Sequence, residues 1–350
     1  MAPQKNLTLI FGAIPTGMPV PEQFVLKDIG FDPSTAPPPN GLVLQHIYLS
    51  LDPYMRSRLR PEEVKSYVPA FKLHEPISND GIARVLASNN ANFGKGDIVK
   101  GRLKFQQFST VADPSAFEKV DVVNGDPDLR NYLGALGMPG LTAYSSLYEI
   151  GRPKRGETIF VSSAAGAVGQ VVGQISKHEG LRVIGSVGSE AKLKFITDDL
   201  GFDGGFNYKS EKPTDALKRL APNGIDIYFE NVGGEQLEAA IGAMNDYGRI
   251  VACGMISDYG TSLEKRYGVR NLVDVVTKRL TMRGFIVTDE CMGPKWKEEH
   301  IKTLTKWLKD GSFKAVIDET VGMEKAAEAF IGMLQGKNFG KAVLKVEKDE

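Results

Sequence analysis

Cysteine is scarce in this chain: Cys253 and Cys291 are the only two among 350 residues. Two cysteines provide no disulfide framework, which is typical of proteins from a reducing compartment, so we expect a cytoplasmic protein. Neither cysteine forms a CxxC pair, and the four histidines show neither the HExxH nor the HxxxH spacing. Because a zinc site needs three or four converging Cys, His or carboxylate ligands, the sequence predicts no metal site.

Excess charge and long apolar runs are also absent. The 43 basic and 43 acidic residues cancel, so no electrostatic attraction to nucleic acid or to an anionic membrane is expected. No apolar run reaches the roughly 18 residues that a membrane-spanning helix needs. A GxSxG motif is missing, so nothing supports a serine hydrolase of that type. We therefore expect chemistry on a small molecule, supplied mainly by an organic cofactor.

The first part of the chain alternates apolar residues with turn formers, which predicts a β-rich domain. Its clearest strands are 41–51, 80–88 and 96–103, and four prolines make 33–41 a loop. Residues 321–338 are predicted to be helical and turn-like, and residues 339–347 are predicted to form a final strand. The Lys-rich alternation of that strand predicts a half-exposed position, with the strand added back to the N-terminal domain.

From about residue 155, strands and helices alternate with short connections. The predicted strands are 156–163, 181–187, 204–208, 225–231, 248–254 and 280–287. The predicted helices are 167–180, 190–201, 213–221 and 234–244. Because each parallel strand pair needs a crossover connection, this alternation predicts a doubly wound parallel sheet with helices on both faces.

The first of these strands runs into Ala164-x-Gly166-x-x-Gly169, a dinucleotide-binding fingerprint with alanine in its first position. Gly166 would let the backbone approach a pyrophosphate, and Gly169 would let helix and strand pack closely. The phosphates would then lie on amide groups at the positive end of the following helix. Ordinary helix packing is the alternative, but the fingerprint stands between a predicted strand and a predicted helix, which is the context it requires.

The second strand of this region ends in Gly188-Ser189, without the Asp or Glu that accepts from the ribose 2′-hydroxyl of NAD. Lys192 follows and is available to a 2′-phosphate, and Ser189 can donate a hydrogen bond. Glu190 lies close by, but at a helix start we expect it to point to solvent. These residues favour NADP(H) over NAD(H), with a solvated helix lysine as the alternative for Lys192.

Several unusual strings extend this interpretation over nearly the whole chain. They are LSLDPYMRSRLRP (49–61), LGMPGLTAY (136–144), FVSSAAGAVGQVVGQ (160–174), FNYK (206–209), ENVGG (230–234), CGMIS (253–257) and KNFGKAVLKV (337–346). In these strings the chain resembles the zinc-independent medium-chain dehydrogenase/reductases, in the group of the prostaglandin reductases and plant alkenal double-bond reductases. The resemblance implies an α/β fold and a homodimer. It also implies a GroES-like catalytic domain at 1–136, to which 311–350 returns, and a Rossmann NADPH-binding domain at 137–310.

The resemblance also implies which residues contact the cofactor. Lys192 is expected at the adenosine 2′-phosphate, Tyr208 near the same phosphates, Asn231 near a ribose, and residues 285–287 at the carboxamide. The full set of matching positions is Met138, Pro139, Ala165, Gly166, Ala167, Val168, Gly169, Gly188, Ser189, Lys192, Tyr208, Asn231, Cys253, Gly254, Ile256, Ser257, Tyr259, Phe285, Ile286, Val287 and Asn338.

Two tyrosines are the candidates for catalytic residues. Tyr259 aligns with the Tyr of the family's ISxY segment, and Tyr54 aligns with a Tyr that lines the substrate pocket. Simpler interpretations stay open for both: Tyr259 as a loop aromatic, and Tyr54 with Arg56 as residues that shape the first domain. Asn231 could likewise cap the following helix, and Met138 and Pro139 could pack a turn.

The reaction implied by the resemblance is hydride transfer from NADPH to the β-carbon of an α,β-unsaturated aldehyde or ketone, with a Tyr stabilising the enolate. Quinone reduction by the same cofactor, or a largely non-catalytic NADPH-binding protein, are the alternatives. One departure concerns residues 288–294, which read TDECMGP where many relatives have an aromatic-rich stretch. That stretch borders the substrate pocket in the family, so the size and polarity of the substrate stay open.

Overall fold

The computed structural model describes residues 3–120 and 128–347. The chain divides into two compact units: Met1–Leu133 with Ile317–Glu350, and Gly134–Val316. We call them the first and the second unit. The division between the units falls after residues 133 and 316, whereas the resemblance implies domain bounds at 136 and 310.

Strands and helices of the described residues are numbered in chain order. The strands are β1 Leu7–Phe11, β2 Phe24–Asp28, β3 Leu42–Ser50, β4 Ser78–Ser88, β5 Ile98–Lys104, β6 Phe108–Val111, β7 Glu118–Lys119, β8 Thr158–Val161, β9 Arg182–Val187, β10 Gly204–Asn207, β11 Ile225–Glu230, β12 Met244–Ala252, β13 Thr281–Gly284, β14 Ile317–Val321 and β15 Lys341–Lys345. The α-helices are α1 Met55–Arg58, α2 Met138–Ser146, α3 Gly169–His178, α4 Glu190–Lys194, α5 Pro213–Leu220, α6 Gly234–Ala243, α7 Val273–Thr277, α8 Gly293–Asp310 and α9 Ala326–Leu334.

The first unit is built on a mixed sheet in the order β14-β15-β3-β4-β5-β7, with β6 also paired to β3 and a separate β1–β2 hairpin. The three strands predicted at 41–51, 80–88 and 96–103 appear as β3, β4 and β5. Inward-facing apolar side chains of the strands and of α9 form one core, which includes Phe11, Leu42, Leu44, Phe330 and Leu344. The C-terminal strand β15 lies antiparallel to β3, so the end of the chain belongs to this sheet.

One expectation for the tail is wrong. The residues of β15 from Lys341 to Leu344 are buried, and Lys341 is only 1% exposed, so the strand is not half-exposed. Strand β15 lies between β14 and β3 and therefore has no free edge. The alternating lysines had predicted a half-exposed strand, but here they do not indicate exposure. The segment 321–338, which was predicted to be helical and turn-like, contains helix α9 at Ala326–Leu334 with turns on both sides, and its first residue ends β14.

The second unit contains the predicted doubly wound sheet. Its strands are all parallel, in the order β10-β9-β8-β11-β12-β13, which is the 3-2-1-4-5-6 order of a dinucleotide-binding fold. The six strands and four helices predicted here are all present, with shifted ends; α3 starts at Gly169 instead of residue 167. Three helices were not predicted: α2, α7 and α8. None of the helices in the described residues is long and apolar enough to cross a bilayer.

Candidate functional site

The carboxyl ends of the six parallel strands meet at one edge of the second unit's sheet. Strand order reverses around β8, which pairs with β9 on one side and β11 on the other. In open parallel sheets, ligands bind outside the carboxyl ends at such a switch point. The candidate residues that follow these ends are Ala165–Gly169 after β8, Gly188 and Ser189 after β9, Tyr208 after β10, Asn231 after β11, Cys253 and Gly254 after β12, and Phe285–Val287 after β13.

The loop between β8 and α3 has the close packing that the fingerprint predicts. A Cβ at Gly169 would lie 2.3 Å from the Ser163 carbonyl oxygen and 2.8 Å from the Ala164 Cα, so only glycine fits without a backbone shift. A Cβ at Gly166 would lie 3.1 Å from Ser163, which is also tight. Such close packing of the loop against the start of the helix is what the glycines of a dinucleotide-binding fingerprint allow.

Replacing Gly169 by Ala is expected to lower the free energy of unfolding by about 1–3 kcal/mol, the usual cost of overpacking, and to weaken NADPH binding. Gly242→Ala is the matched control, because the nearest atom to its added Cβ is Asn271 Nδ2 at 3.5 Å. Urea unfolding and NADPH titration of both variants test this. Equal stability and equal affinity of the two variants would rule out the assigned role of Gly169.

At the end of β9, the residues assigned to the 2′-phosphate lie near one another. Ser189 is the N-cap of α4, and its Oγ accepts from the Lys192 backbone N–H at 3.3 Å. A Cβ at Gly188 would lie 3.0 Å from the Tyr208 hydroxyl, so this exposed tyrosine covers the strand end. Glu190 is exposed, as expected, and its carboxylate accepts a hydrogen bond from the Asn207 side chain at 2.8 Å.

Asn231 joins the ends of β8 and β11. Its Nδ2 donates to the Ser162 carbonyl oxygen at 2.7 Å, and its backbone N–H donates to Ser162 Oγ at 2.8 Å. The alternative of a helix cap is wrong, since Gly233 is the N-cap of α6. The side chain is therefore fixed at the switch point, where the resemblance expects a ribose.

The turn that follows Asn231 is held by a buried acid, Glu230. Its Oε1 accepts from the backbone N–H groups of Val232 at 2.5 Å and Gly233 at 2.8 Å. Burial raises the pKa of Glu230, while those two backbone hydrogen bonds act against the rise. Neither Glu230, which lies within ENVGG, nor Ser162 is among the site residues predicted from the sequence. Both are polar residues at the carboxyl ends of predicted parallel strands, and that position could have marked them as candidates, although their contacts required the structure.

The segment after β12 packs on this turn. Gly254 donates to the Glu230 carbonyl oxygen at 3.0 Å, and Ser257 donates to that of Val232 at 3.0 Å. A Cβ at Gly254 would lie 3.3 Å from the Tyr259 hydroxyl, so the phenol lies at the carboxyl edge of the sheet.

Cys253 and Ile256 belong to the same segment. The backbone N–H of Cys253 donates to the Glu230 carbonyl oxygen at 3.0 Å, and that of Ile256 donates to the Asn231 carbonyl oxygen at 3.2 Å. Burial raises the pKa of the Cys253 thiol to about 12, so it is a neutral packing group at this edge.

Residues 285–287 follow β13 directly, and their backbone is part of a tight turn. Ile286 N–H donates to the Asp289 carboxylate at 3.0 Å, and its carbonyl accepts from Asp289 N–H at 3.0 Å. Gly293 N–H donates to the Val287 carbonyl at 2.8 Å. The unusual segment 288–294 therefore closes this turn and leads into α8.

The remaining candidates lie elsewhere. Met138 and Pro139 open α2 in the second unit. In the first unit, Asn338 Nδ2 donates to the Gly340 carbonyl oxygen at 2.8 Å. Tyr54 precedes α1 and donates to Asn79 at 2.5 Å, and Arg56 Nη2 donates to the Gly17 carbonyl oxygen at 2.5 Å. Arg56 thus does shape the first unit, as one of the simpler interpretations held.

A metal centre has no ligand set in residues 3–120 and 128–347. They contain no group of three or more His, Cys, Asp or Glu side chains that could hold an ion. Cys253 and Cys291 are both free thiols.

Two family models match the chain. One is described as the N-terminal domain of oxidoreductase and covers residues 8–120; the other is described as zinc-binding dehydrogenase and covers residues 167–310. Together they match parts of both units.

Similar proteins align over nearly the full length. The chain is 49% identical to an NADP-dependent oxidoreductase, RED1, of Cochliobolus heterostrophus, with 98% of each chain covered. It is 42% identical to an NADP(+)-dependent 2-alkenal reductase of Nicotiana tabacum, again with 98% of each covered. The crystal structure of Vibrio vulnificus CurA in complex with NADPH superposes with a TM-score of 0.88 at 36% identity, covering 98% of this chain and 100% of that one.

Proposed function

Because the chain belongs to the medium-chain dehydrogenase/reductase family, we propose that it reduces the carbon–carbon double bond of α,β-unsaturated aldehydes and ketones with NADPH. The observation that carries the proposal is the position of the Tyr259 hydroxyl, 3.3 Å from a Cβ built on Gly254, at the same sheet edge as the Gly166–Gly169 loop. A proton-bearing phenol and a dinucleotide loop on one edge are the two elements that this reaction needs.

NADPH fits the residues at this edge. The loop at Gly166 and Gly169 would hold the pyrophosphate on backbone amides, and Asn231 is fixed where a ribose would lie. Ser189, Lys192 and Tyr208 would take the 2′-phosphate. The relative named as an NADP-dependent oxidoreductase and the NADPH-bound neighbour support this choice of cofactor. When bound, NADPH supplies the hydride.

Tyr259 supplies the other half of the chemistry. As hydride reaches the β-carbon, negative charge develops on the carbonyl oxygen, and a neutral phenol at that oxygen stabilises the enolate by a hydrogen bond. The α-carbon then takes a proton from Tyr259 or from water. The tobacco relative named 2-alkenal reductase supports this substrate class.

The test follows NADPH absorbance with a cinnamaldehyde-type enal, an enone, a saturated aldehyde and a quinone. We expect turnover of the enal and the enone, and none of the saturated aldehyde. Turnover of the quinone alone would contradict the proposal and favour a quinone reductase. Binding of NADPH without any turnover would favour a non-catalytic cofactor-binding protein.

We also propose that the protein is a cytoplasmic homodimer. Strand β13 is an edge of the second unit's sheet and pairs only with β12 within the described residues. Directly before it, α7 carries Val273 and Val276, which are 65% and 75% exposed. An open strand edge beside exposed apolar side chains is a template for pairing with a second copy.

In light scattering coupled to gel filtration, we expect a mass of twice the 38.2 kDa of one chain. Val276→Glu should shift the protein towards the monomer, because a buried unpaired charge opposes association. Val25→Glu, at a position that is 50% exposed in the first unit, is the control and should leave the mass unchanged. A monomeric wild type, or a Val276→Glu protein that remains dimeric, would disprove this interface.

A further inference from the structure

The last residue of β11, Glu230, has a side chain that folds back onto the turn that follows it. This side chain is fully buried, and its Oε1 accepts from the backbone N–H groups of Val232 at 2.5 Å and Gly233 at 2.8 Å. Gly233 and Gly234 have φ angles of 82° and 57°, a left-handed conformation that glycine adopts without strain. The two glycines therefore allow a turn sharp enough for one carboxylate oxygen to bind two N–H groups of the turn.

The same carboxylate oxygen also contacts Ser162, which directly follows β8. Ser162 Oγ accepts from the Asn231 backbone N–H at 2.8 Å, so its single proton is left for other acceptors. Those acceptors are Glu230 Oε1 at 3.2 Å and the Phe229 carbonyl oxygen at 3.3 Å. Ser162 is fully buried as well. Glu230, Ser162 and Asn231 therefore form one hydrogen-bonded unit across the ends of two paired strands.

This unit gives the Asn231 amide a single orientation. Its Nδ2 donates to the Ser162 carbonyl oxygen at 2.7 Å. A carbonyl oxygen only accepts hydrogen bonds, so the amide nitrogen must face it and the amide oxygen must point away from it. The amide oxygen is itself only an acceptor. Asn231 Oδ1 can therefore bind a donor such as a sugar hydroxyl, but not an oxygen of an ionised phosphate.

The order of the strands indicates which sugar this is. The parallel sheet has the order β10-β9-β8-β11-β12-β13. The residues assigned to the 2′-phosphate follow β9 and β10, and the loop assigned to the pyrophosphate follows β8. Asn231 follows β11, on the opposite side of β8 from β9. The 2′-phosphate marks the adenosine half of NADPH, so a ribose at Asn231 belongs to the nicotinamide half.

We propose that Glu230 is a positioning residue for the nicotinamide half of NADPH, because it fixes Asn231 through Ser162 and through the turn at 231–234. This inference goes beyond the proposed reaction, since it concerns how the cofactor is held and does not depend on the substrate. The donors at Glu230 Oε1 need an acceptor at that point and not a charge. A glutamine would therefore serve in the same position.

Two ligands separate this role from a general effect on folding. NADPH contains both halves, whereas 2′,5′-ADP carries the adenosine 2′-phosphate and lacks the nicotinamide ribose. Calorimetry gives the dissociation constants of both ligands for the wild type, Glu230→Ala, Glu230→Gln and Ser162→Ala, with Lys192→Ala as the control. Glu230→Ala and Ser162→Ala should weaken NADPH binding about three- to tenfold, the worth of one lost hydrogen bond, and change 2′,5′-ADP binding less than about twofold. Glu230→Gln should retain the wild-type affinity for both ligands, and Lys192→Ala should weaken the binding of both.

A double variant tests whether Glu230 acts through Asn231. In the Asn231→Ala background, Glu230→Ala should change the affinity for NADPH less than about twofold, because residues that act as one unit are not additive. An additional loss equal to that of Glu230→Ala alone would contradict the coupling.

Three further results would overturn the proposal. An equal loss of affinity for NADPH and 2′,5′-ADP would give Glu230 and Ser162 a merely structural role. Unchanged NADPH affinity in Ser162→Ala would remove the connection to Asn231, and this arm decides even if Glu230→Ala does not fold. A Glu230→Gln protein as weak as Glu230→Ala would make the charge, and not the acceptor, the working feature. None of these readouts is turnover, so a protein that binds NADPH but reduces no substrate would contradict the proposed function alone.

Discussion

Tyr259→Phe is expected to lower kcat for enal and enone reduction about 10²–10³-fold, with little change in the affinity for NADPH. The phenol is the only group changed, and removal of one donor to a developing oxyanion costs that much in other enzymes. Its hydroxyl lies at the sheet edge beside Gly254, where the charge is proposed to develop. Residual activity should remain, because hydride donation and substrate positioning do not depend on this proton. Steady-state kinetics with both substrates measure the loss.

Tyr247→Phe is the matched control for this prediction. The substitution removes the same hydroxyl group from a tyrosine of the same unit. Tyr247 is 68% exposed and lies near the start of β12, whereas Tyr259 follows the end of that strand. Its replacement should leave kcat unchanged. If Tyr259→Phe retains full activity on both substrates, the assignment of the phenol as the enolate donor has to be abandoned.

Lys192→Ala is expected to weaken NADPH binding about ten- to hundredfold and to leave NADH binding unchanged. A hydrogen bond to a charged group is worth about 1.5–3 kcal/mol, and each 1.4 kcal/mol is a factor of ten in affinity. Only NADPH carries the 2′-phosphate with which Lys192 is proposed to pair. Fluorescence titration of the variant with both cofactors provides the measurement.

Lys194→Ala is the control for the charge itself. Lys194 lies in the same short helix, α4, and is exposed, while Lys192 is half-buried. The control should change NADPH affinity much less than Lys192→Ala does. An equal loss in both variants would indicate a diffuse electrostatic effect, and an equal loss for both cofactors would place Lys192 away from the 2′-phosphate.

The parallel sheet of the second unit was predictable because its signals are local. Each strand is a short apolar run followed by a turn, and the loop at Gly166–Gly169 has a fixed spacing, so strand number, order of elements and cofactor edge could all be inferred. Helix α8 was equally readable: Trp296, His300 and Leu304 recur every four residues between Pro294 and Gly311. This spacing predicts a helix, so the sequence contains the signal for α8 although the helix was not predicted.

Other features depend on partners that are distant in the chain. From the sequence, Lys341 resembles a surface lysine. In the structure it pairs with Asp52, 289 residues away, and with two carbonyl oxygens. From the sequence, Asn231 resembles a helix cap, but in the structure its amide donates to the carbonyl oxygen of Ser162, 69 residues away. The Tyr54 hydroxyl likewise donates its hydrogen bond to Asn79, which is 25 residues away in the chain. Local pattern alone contains none of these contacts, so side-chain roles at strand ends required the structure.

Isothermal titration calorimetry of the purified wild type with NADPH and NADH tests the central claim most directly. It tests in one experiment both the loop assigned to the pyrophosphate and the residues after β9 assigned to the 2′-phosphate. The account predicts one NADPH per chain, bound at least about tenfold more tightly than NADH, as one charge-assisted contact to the extra phosphate requires. Equal or tighter binding of NADH, or no binding of NADPH, would contradict it.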